Sequence, residues 1–204
     1  MAEGGDIGVT TSLSCHVLCA VPQLIDPNFV RSVVLMIEHN EDGAFGLVIN
    51  NCLPTRVADV TESLGLEWYG EEDEKVRLGG PVEPVRGFVL HDQPGWDPLA
   101  DEVCDGLLIT ASLDAITPEE GIGAGGHFLF TLGYAGWGEG QLEREMTSGS
   151  WVAVPISDAG FGVTPRWIFE TAPEVMWQEA LASIGVDPAR LVGHRGIGEP
   201  IAKA

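Results

Sequence analysis

Apolar positions along the chain fall into short continuous or alternating runs broken by glycine and proline, the pattern of β-strands with a few helices between them. Cys15 to Val21 predicts a strand stopped by Pro22, and Ser32 to His39, built on Val33-Val34-Leu35-Met36-Ile37, predicts a strand buried on both faces. Asp42-Gly43 marks a tight turn, with Ala44 to Asn50 as the returning strand of a hairpin. Further strands are predicted over Arg86 to His91, Gly106 to Ala111, Phe128 to Tyr134 and Trp151 to Ile156, with an irregular stretch around Pro94, Gly95 and Pro98.

Three segments carry helical spacing instead. Val57, Val60 and Leu64 predict a helix over Arg56 to Leu64 that stops at Gly65. Leu142 and Met146 predict one over Gly138 to Thr147, and Trp177, Leu181 and Ile184 predict one over Pro173 to Ile184, capped by Gly185. Gly136 and Gly138 are expected to form a tight turn pressing Trp137 onto the sheet, where the strand passes into the helix. Runs of strands interrupted by irregularly placed helices, without an internal repeat, indicate an α+β fold. At 204 residues a single domain is expected, spanning 12–192, with a flexible N-terminus over 1–11 and a flexible tail over 193–204.

Composition changes this picture mainly through charge. Ten Lys and Arg against 31 Asp and Glu leave a net charge of −21, and no Lys or Arg occurs between Arg86 and Arg144. Such a surface repels phosphate, so no nucleic acid is expected among the partners. Met1 to Thr11 has neither the basic start nor the apolar stretch of a secretory signal. The uncharged run from Gly121 to Gly138 holds seven glycines and His127, a poor membrane span. A cytoplasmic protein with no membrane partner is the resulting expectation. The four cysteines, Cys15, Cys19, Cys52 and Cys104, form no C-x-x-C pair and read as buried, inert thiols.

Most catalytic motifs are ruled out. Gly121, Gly123 and Gly126 match G-x-G-x-x-G, but a strand-like run follows them where a helix should open. Gly79-Gly80-Pro81-Val82 lacks the Lys-Ser/Thr of a phosphate-binding loop, and neither a G-x-S-x-G elbow nor an H-E-x-x-H helix occurs. His39 and His91 each end a predicted strand, where side chains reach a cleft, and their rings are expected to converge at one rim near Asn50 and Tyr134. On that reading each histidine could be replaced by alanine with little loss of stability. Neither a metal nor a cofactor follows from these residues.

Several ordered segments resemble the AlgH/YqgE family of bacterial proteins. They are Asp26-Pro27-Asn28-Phe29, Ser32-Val33-Val34, Glu38-His39-Asn40-Glu41-Asp42-Gly43, Gly46-Leu47-Val48-Ile49-Asn50, Gly79-Gly80-Pro81-Val82, Leu90-His91, Gly133-Tyr134-Ala135-Gly136-Trp137 and Gly140-Gln141-Leu142-Glu143, closing at Trp151. The resemblance runs from residue 12 to about 190 and implies a bent, mostly antiparallel sheet forming a partial barrel with a few flanking helices. Some members of that family carry the label of transcriptional regulator.

Two functional readings stand side by side. In one, the chain is a small-ligand-binding domain, enzymatic or not, whose cleft gathers His39, Asn50, Gly79, Gly80, His91, Tyr134, Trp137 and Gln141. In the other, it is a non-enzymatic regulatory module acting through a protein partner and not by direct DNA contact. The first requires a concave pocket with convergent polar groups; the second, a flat exposed apolar patch.

Overall fold

A computed structural model describes residues 12–24, 26–112 and 126–191. The expected termini at 1–11 and 193–204, and all of the glycine motif except Gly126, lie outside them. In chain order the described elements are β1 (His16–Ala20), β2 (Val33–Asn40), β3 (Gly43–Val48), β4 (Cys52–Arg56), α1 (Val57–Ser63), β5 (Lys75–Leu78), β6 (Val82–His91), β7 (Asp101–Cys104), β8 (Leu107–Thr110), β9 (Phe128–Gly138), α2 (Gln141–Thr147), β10 (Trp151–Pro155), α3 (Pro165–Glu170) and α4 (Pro173–Ser183). The strands form one curled, half-barrel sheet in the order β10-β1-β2-β3-β9-β6-β8-β7, and β4 and β5 branch from β9. All pairings are antiparallel except β5 with β9. The fold is α+β and a single domain, as the sequence pattern indicates.

Each face of the sheet has its own core. Val17, Leu35, Leu47, Leu90 and Leu129 pack beneath α3 and α4 through Ile168, Met176, Trp177 and Leu181. Trp177 also ties α4 to the sheet, its indole N–H donating to the Ala20 carbonyl at 2.8 Å. Leu18, Val34, Met36, Val48, Ala135 and Trp137 face the other way and pack beneath Leu142 of α2. The two faces are called the α4 face and the α2 face below. A third, smaller cluster of Val57, Val76, Val89 and Phe130 seats α1.

Two interruptions of strand alternation decide which side chains reach which face. In β2, Val33 and Leu35 lie on the α4 face, and strict alternation would send His39 there too. The register slips between Met36 and Glu38, making Ile37 an extra residue. Beyond that bulge Glu38 pairs with Phe45, on the α4 face, and His39 pairs with Ala44, on the α2 face. In β9 the break is Gly133, with φ of 72°. Leu129 precedes it on the α4 face; after it Tyr134 lies on that face and Ala135 and Trp137 on the other. Only glycine suits Gly133, because a Cβ there would stand 2.5 Å from the Gly80 carbonyl oxygen.

Several expectations are corrected. Strand β9 runs on through Gly138, so Gly136 and Gly138 lie in extended strand and form no turn. The turn falls at Gly140, with φ of 64°, and α2 starts only at Gln141. Strand β7 occupies part of the stretch read as irregular. Its four residues, Asp101-Glu102-Val103-Cys104, are too short and too acidic to show an apolar run. The six-residue helix α3, which begins at Pro165 with the Thr164 side chain capping it, is too brief to display a period.

Candidate functional site

The α2 face at the ends of β2 and β9 is closed by a hydrogen-bond knot. Glu145 of α2 accepts the indole N–H of Trp137 at 2.9 Å, that of Trp151 at 2.8 Å and the Gln141 amide at 2.9 Å. The two indoles meet edge to face, 5.9 Å between ring centres. Beside them His39 is buried, its Nδ1 accepting the Leu13 amide at 3.0 Å and its Nε2 2.9 Å from Glu143. An Nδ1 that accepts a backbone N–H carries no proton, so His39 is the neutral Nε2–H tautomer and donates to Glu143. The Glu143 backbone amide and then His39 hold the Glu143 carboxyl below the usual carboxylate range. His39, Trp137 and Gln141 are thus brought together, but as a tie between strand and helix.

Asn50 is likewise a brace. Its Oδ1 accepts the Val33 amide at 2.8 Å and its Nδ2 donates to the Arg31 carbonyl at 2.9 Å, holding Arg31 at a φ of 53°. Gly79 and Gly80 run against the backbone of β9, where a Cβ on Gly80 would lie 2.2 Å from the Tyr134 carbonyl carbon. They allow two chain segments to cross at close range.

His91 is remote from His39. It pairs with Phe128 at one end of β9, whereas His39 is linked through Ala44 to Trp137 near the other. Nine residues of β9 separate those positions, roughly 30 Å of straight strand and still about 20 Å if bent to a right angle at Gly133. The expected convergence of the two rings at one rim does not occur. The bulge at Ile37 and the antiparallel direction of β6 separate them. His91 is fully buried and stacks on Trp96 at 5.4 Å. Among the described residues neither ring nitrogen makes a well-formed hydrogen bond, although the Gln93 backbone approaches. Burial pushes the His91 pKa below the ordinary histidine range, against the opposing pull of the Gln93 backbone, Asp97 and Asp92. Asp92 itself turns to His127, accepting its backbone amide at 2.9 Å and its ring Nδ1 at 2.6 Å.

A cleft of about 460 Å³ opens on the α4 face, within the usual range for a small-molecule site. Of the eight residues singled out from sequence, only Tyr134 lines it. Phe45, Phe88 and Tyr134 form its aromatic wall, with ring centres 5.0 Å apart for Phe45 and Tyr134, 5.5 Å for Phe45 and Phe88, and 6.3 Å for Phe88 and Tyr134. Glu38, Asp101 and Arg86 supply its charges. Arg86 lies over the Phe88 ring at 5.2 Å and is neutralised by Glu83 at 3.0 Å. Glu38 takes one bond from Asn40, and Asp101 has no partner among the described residues. The unmatched charge of the cleft is therefore negative. Glu38 could have been found only by anticipating the bulge, and Phe45 and Phe88 only by knowing that β3 and β6 both flank β9.

No described helix is long and apolar enough to cross a membrane, and no group of three or more His, Cys, Asp or Glu among the described residues is placed to hold a metal.

The architecture has known counterparts. The solution structure of the AlgH protein from Pseudomonas aeruginosa superposes with a TM-score of 0.67 at 32% identity, covering 96% of this chain and 99% of that one. A Corynebacterium diphtheriae protein shares the fold with a TM-score of 0.65 at 22% identity. A UPF0301 protein of Myxococcus xanthus is 43% identical over 188 residues, 91% of this chain and 98% of the relative. One from Magnetococcus marinus is 40% identical over 185 residues, 89% of this chain and 94% of the relative. With residues 17–189 matching the family as a whole, and the same half-barrel in a relative of nearly equal length, the chain belongs to the AlgH-like family, DUF179.

Proposed function

We infer that the chain binds a small cationic or zwitterionic ligand with an apolar body in the cleft of the α4 face. The observation that carries this reading is the pairing of a three-ring wall with two under-used carboxylates in one 460 Å³ space. The rings offer apolar surface and a negative π-face to a cation, and Glu38 and Asp101 offer the countercharge. Arg86, already balanced by Glu83, is positioned to receive a weaker anionic group at the rim. Binding alone is proposed, with no chemical step. The unmatched negative charge of the cleft and the net charge of −21 weigh against nucleotides and nucleic acid as ligands. A protein-partner reading has less behind it, because nothing among the described residues joins the large exposed apolar side chains Val30, Leu64, Tyr69, Val85, Leu99, Phe161 and Val175 into one patch.

The test is a thermal-shift comparison of matched probes: phenethylamine and tyramine against phenylpropionate, with adenosine monophosphate as an anionic control. A ligand at 100 times its dissociation constant adds about 2.7 kcal/mol, roughly 5–10 °C for a chain of this length. The amines are expected to raise the melting temperature, and Asp101→Asn with Glu38→Gln to abolish the rise. Stabilisation by the anions and not by the amines would overturn the reading.

A further inference from the structure

The edge strand β7 meets the segment leading into β1, the strand next to the opposite edge, at a pair of thiols. Cys15 immediately precedes β1, and Cys104 ends β7, the edge strand at the far end of the sheet order. The register of β7 on β8 slips between Glu102 and Cys104, so Val103 sits in a bulge and its carbonyl is free of the ladder. That carbonyl accepts the Cys15 Sγ–H at 3.3 Å. A carbonyl oxygen lies about 2.8 Å from the next Cα in a trans peptide, which places the Cys15 sulfur within roughly 6 Å of the Cys104 Cα. The Cys104 thiol is close enough to feel the Cys15 sulfur electrostatically. Both residues are half-buried. The expectation of four buried, inert thiols therefore holds only for Cys19: Cys52 is exposed and touches the Arg77 guanidinium.

We propose that Cys15 and Cys104 are a peroxide-oxidisable pair whose disulfide clasps β7 to the start of β1. Cys15 attacks hydrogen peroxide: an S–O bond forms, the O–O bond breaks, and water leaves behind a sulfenic acid. The Cys104 sulfur then displaces the sulfenic oxygen as a second water while the S–S bond forms. Two thiols and one peroxide give one disulfide and two waters, with each sulfur oxidised by one electron and the peroxide reduced by two. Burial, and then the neighbouring Cys15 thiol, push the Cys104 pKa up to about 12, and the balance of the reaction is the same whichever sulfur attacks first. Asp101, on the same short strand as Cys104, lines the cleft, so the clasp fixes one wall of that site. The chemistry of the pair does not depend on what the cleft binds.

The test uses the full chain carrying Cys52→Ser, which removes the exposed thiol. After stoichiometric hydrogen peroxide, the intact mass is expected to fall by about 2 Da, reversibly with dithiothreitol, as one S–S bond replaces two S–H bonds. A non-reducing digest should yield a peptide joining Cys15 to Cys104. Closing a loop of about 90 residues should raise the melting temperature by at least about 5 °C, even allowing for native-state strain. Adding either Cys15→Ser or Cys104→Ser should remove the mass loss, the linked peptide and the thermal gain together. Irreversible gains of about 16 or 32 Da on Cys15 or Cys104, linkage through Cys19, or a covalent dimer would each overturn the proposal.

Discussion

Two carboxylate-bearing regions on opposite faces of the same sheet use their charge differently. On the α2 face, Glu145 accepts from two buried indoles and an amide, and Glu143 accepts from a buried histidine. On the α4 face, Glu38 takes one bond from Asn40, and Asp101 takes none among the described residues. Matched donors fix a helix to a sheet, whereas an unmatched carboxylate beside cleft-lining aromatic rings keeps its capacity for a ligand. The composition of the two regions does not distinguish them, since each has aromatic residues and acids near a strand end. What differs is whether donors within the protein already satisfy the acceptors.

The largest expected effect comes from undoing the matched side. Glu145→Ala leaves the Trp137 and Trp151 indoles and the Gln141 amide without their shared acceptor, at a cost of about 3 kcal/mol by urea denaturation, since hydrogen bonds to charged groups contribute about 1.5–3 kcal/mol each and water recovers part. Glu145→Gln retains one acceptor and should lose less. A loss under about 1 kcal/mol from Glu145→Ala would place the knot on a level with the cleft and break the comparison.

His39→Ala should cost next most, about 2 kcal/mol, because it leaves the Leu13 amide without its acceptor and takes the buried donor from the Glu143 carboxylate. This reverses the expectation, drawn from its place at a strand end, that His39 could be removed almost freely. A change below about 0.5 kcal/mol, measured the same way, would return His39 to the class of free, ligand-facing residues.

The sequence made the elements legible and the faces illegible. Continuous apolar runs mark β2, β8 and β10, and helical spacing marks α1 and α4, because burial imposes those periods directly. The side-chain direction of His39 and Trp137 follows instead from two one-residue interruptions, at Ile37 and Gly133. Each sends every later side chain of its strand to the other face. A bulge at Ile37 has no composition of its own, and Gly133 is one glycine among several in its segment. Tyr134 follows the interruption on the cleft side, while His39 and Trp137 are carried to the α2 face. Asp101 was hidden for another reason: it reaches the cleft only because the edge strand β7 pairs with β8, which pairs in turn with β6.

The smallest expected effect on stability is the most informative about function. Asp101→Asn removes a charge that is exposed and has no partner among the described residues, so urea denaturation should change by less than about 0.5 kcal/mol. The fold, the aromatic wall and the Arg86–Glu83 pair should all persist. If the cleft holds a cation, the same substitution removes one of its two countercharges, and amine affinity should fall roughly tenfold, about 1.4 kcal/mol. His39→Ala supplies the control from the other face, with lower stability but amine affinity unchanged in the folded fraction. Affinity and stability would thus separate in opposite directions across one sheet. If Asp101→Asn proved as destabilising as His39→Ala, or His39→Ala weakened amine binding as much as Asp101→Asn, the two faces would no longer divide into brace and site.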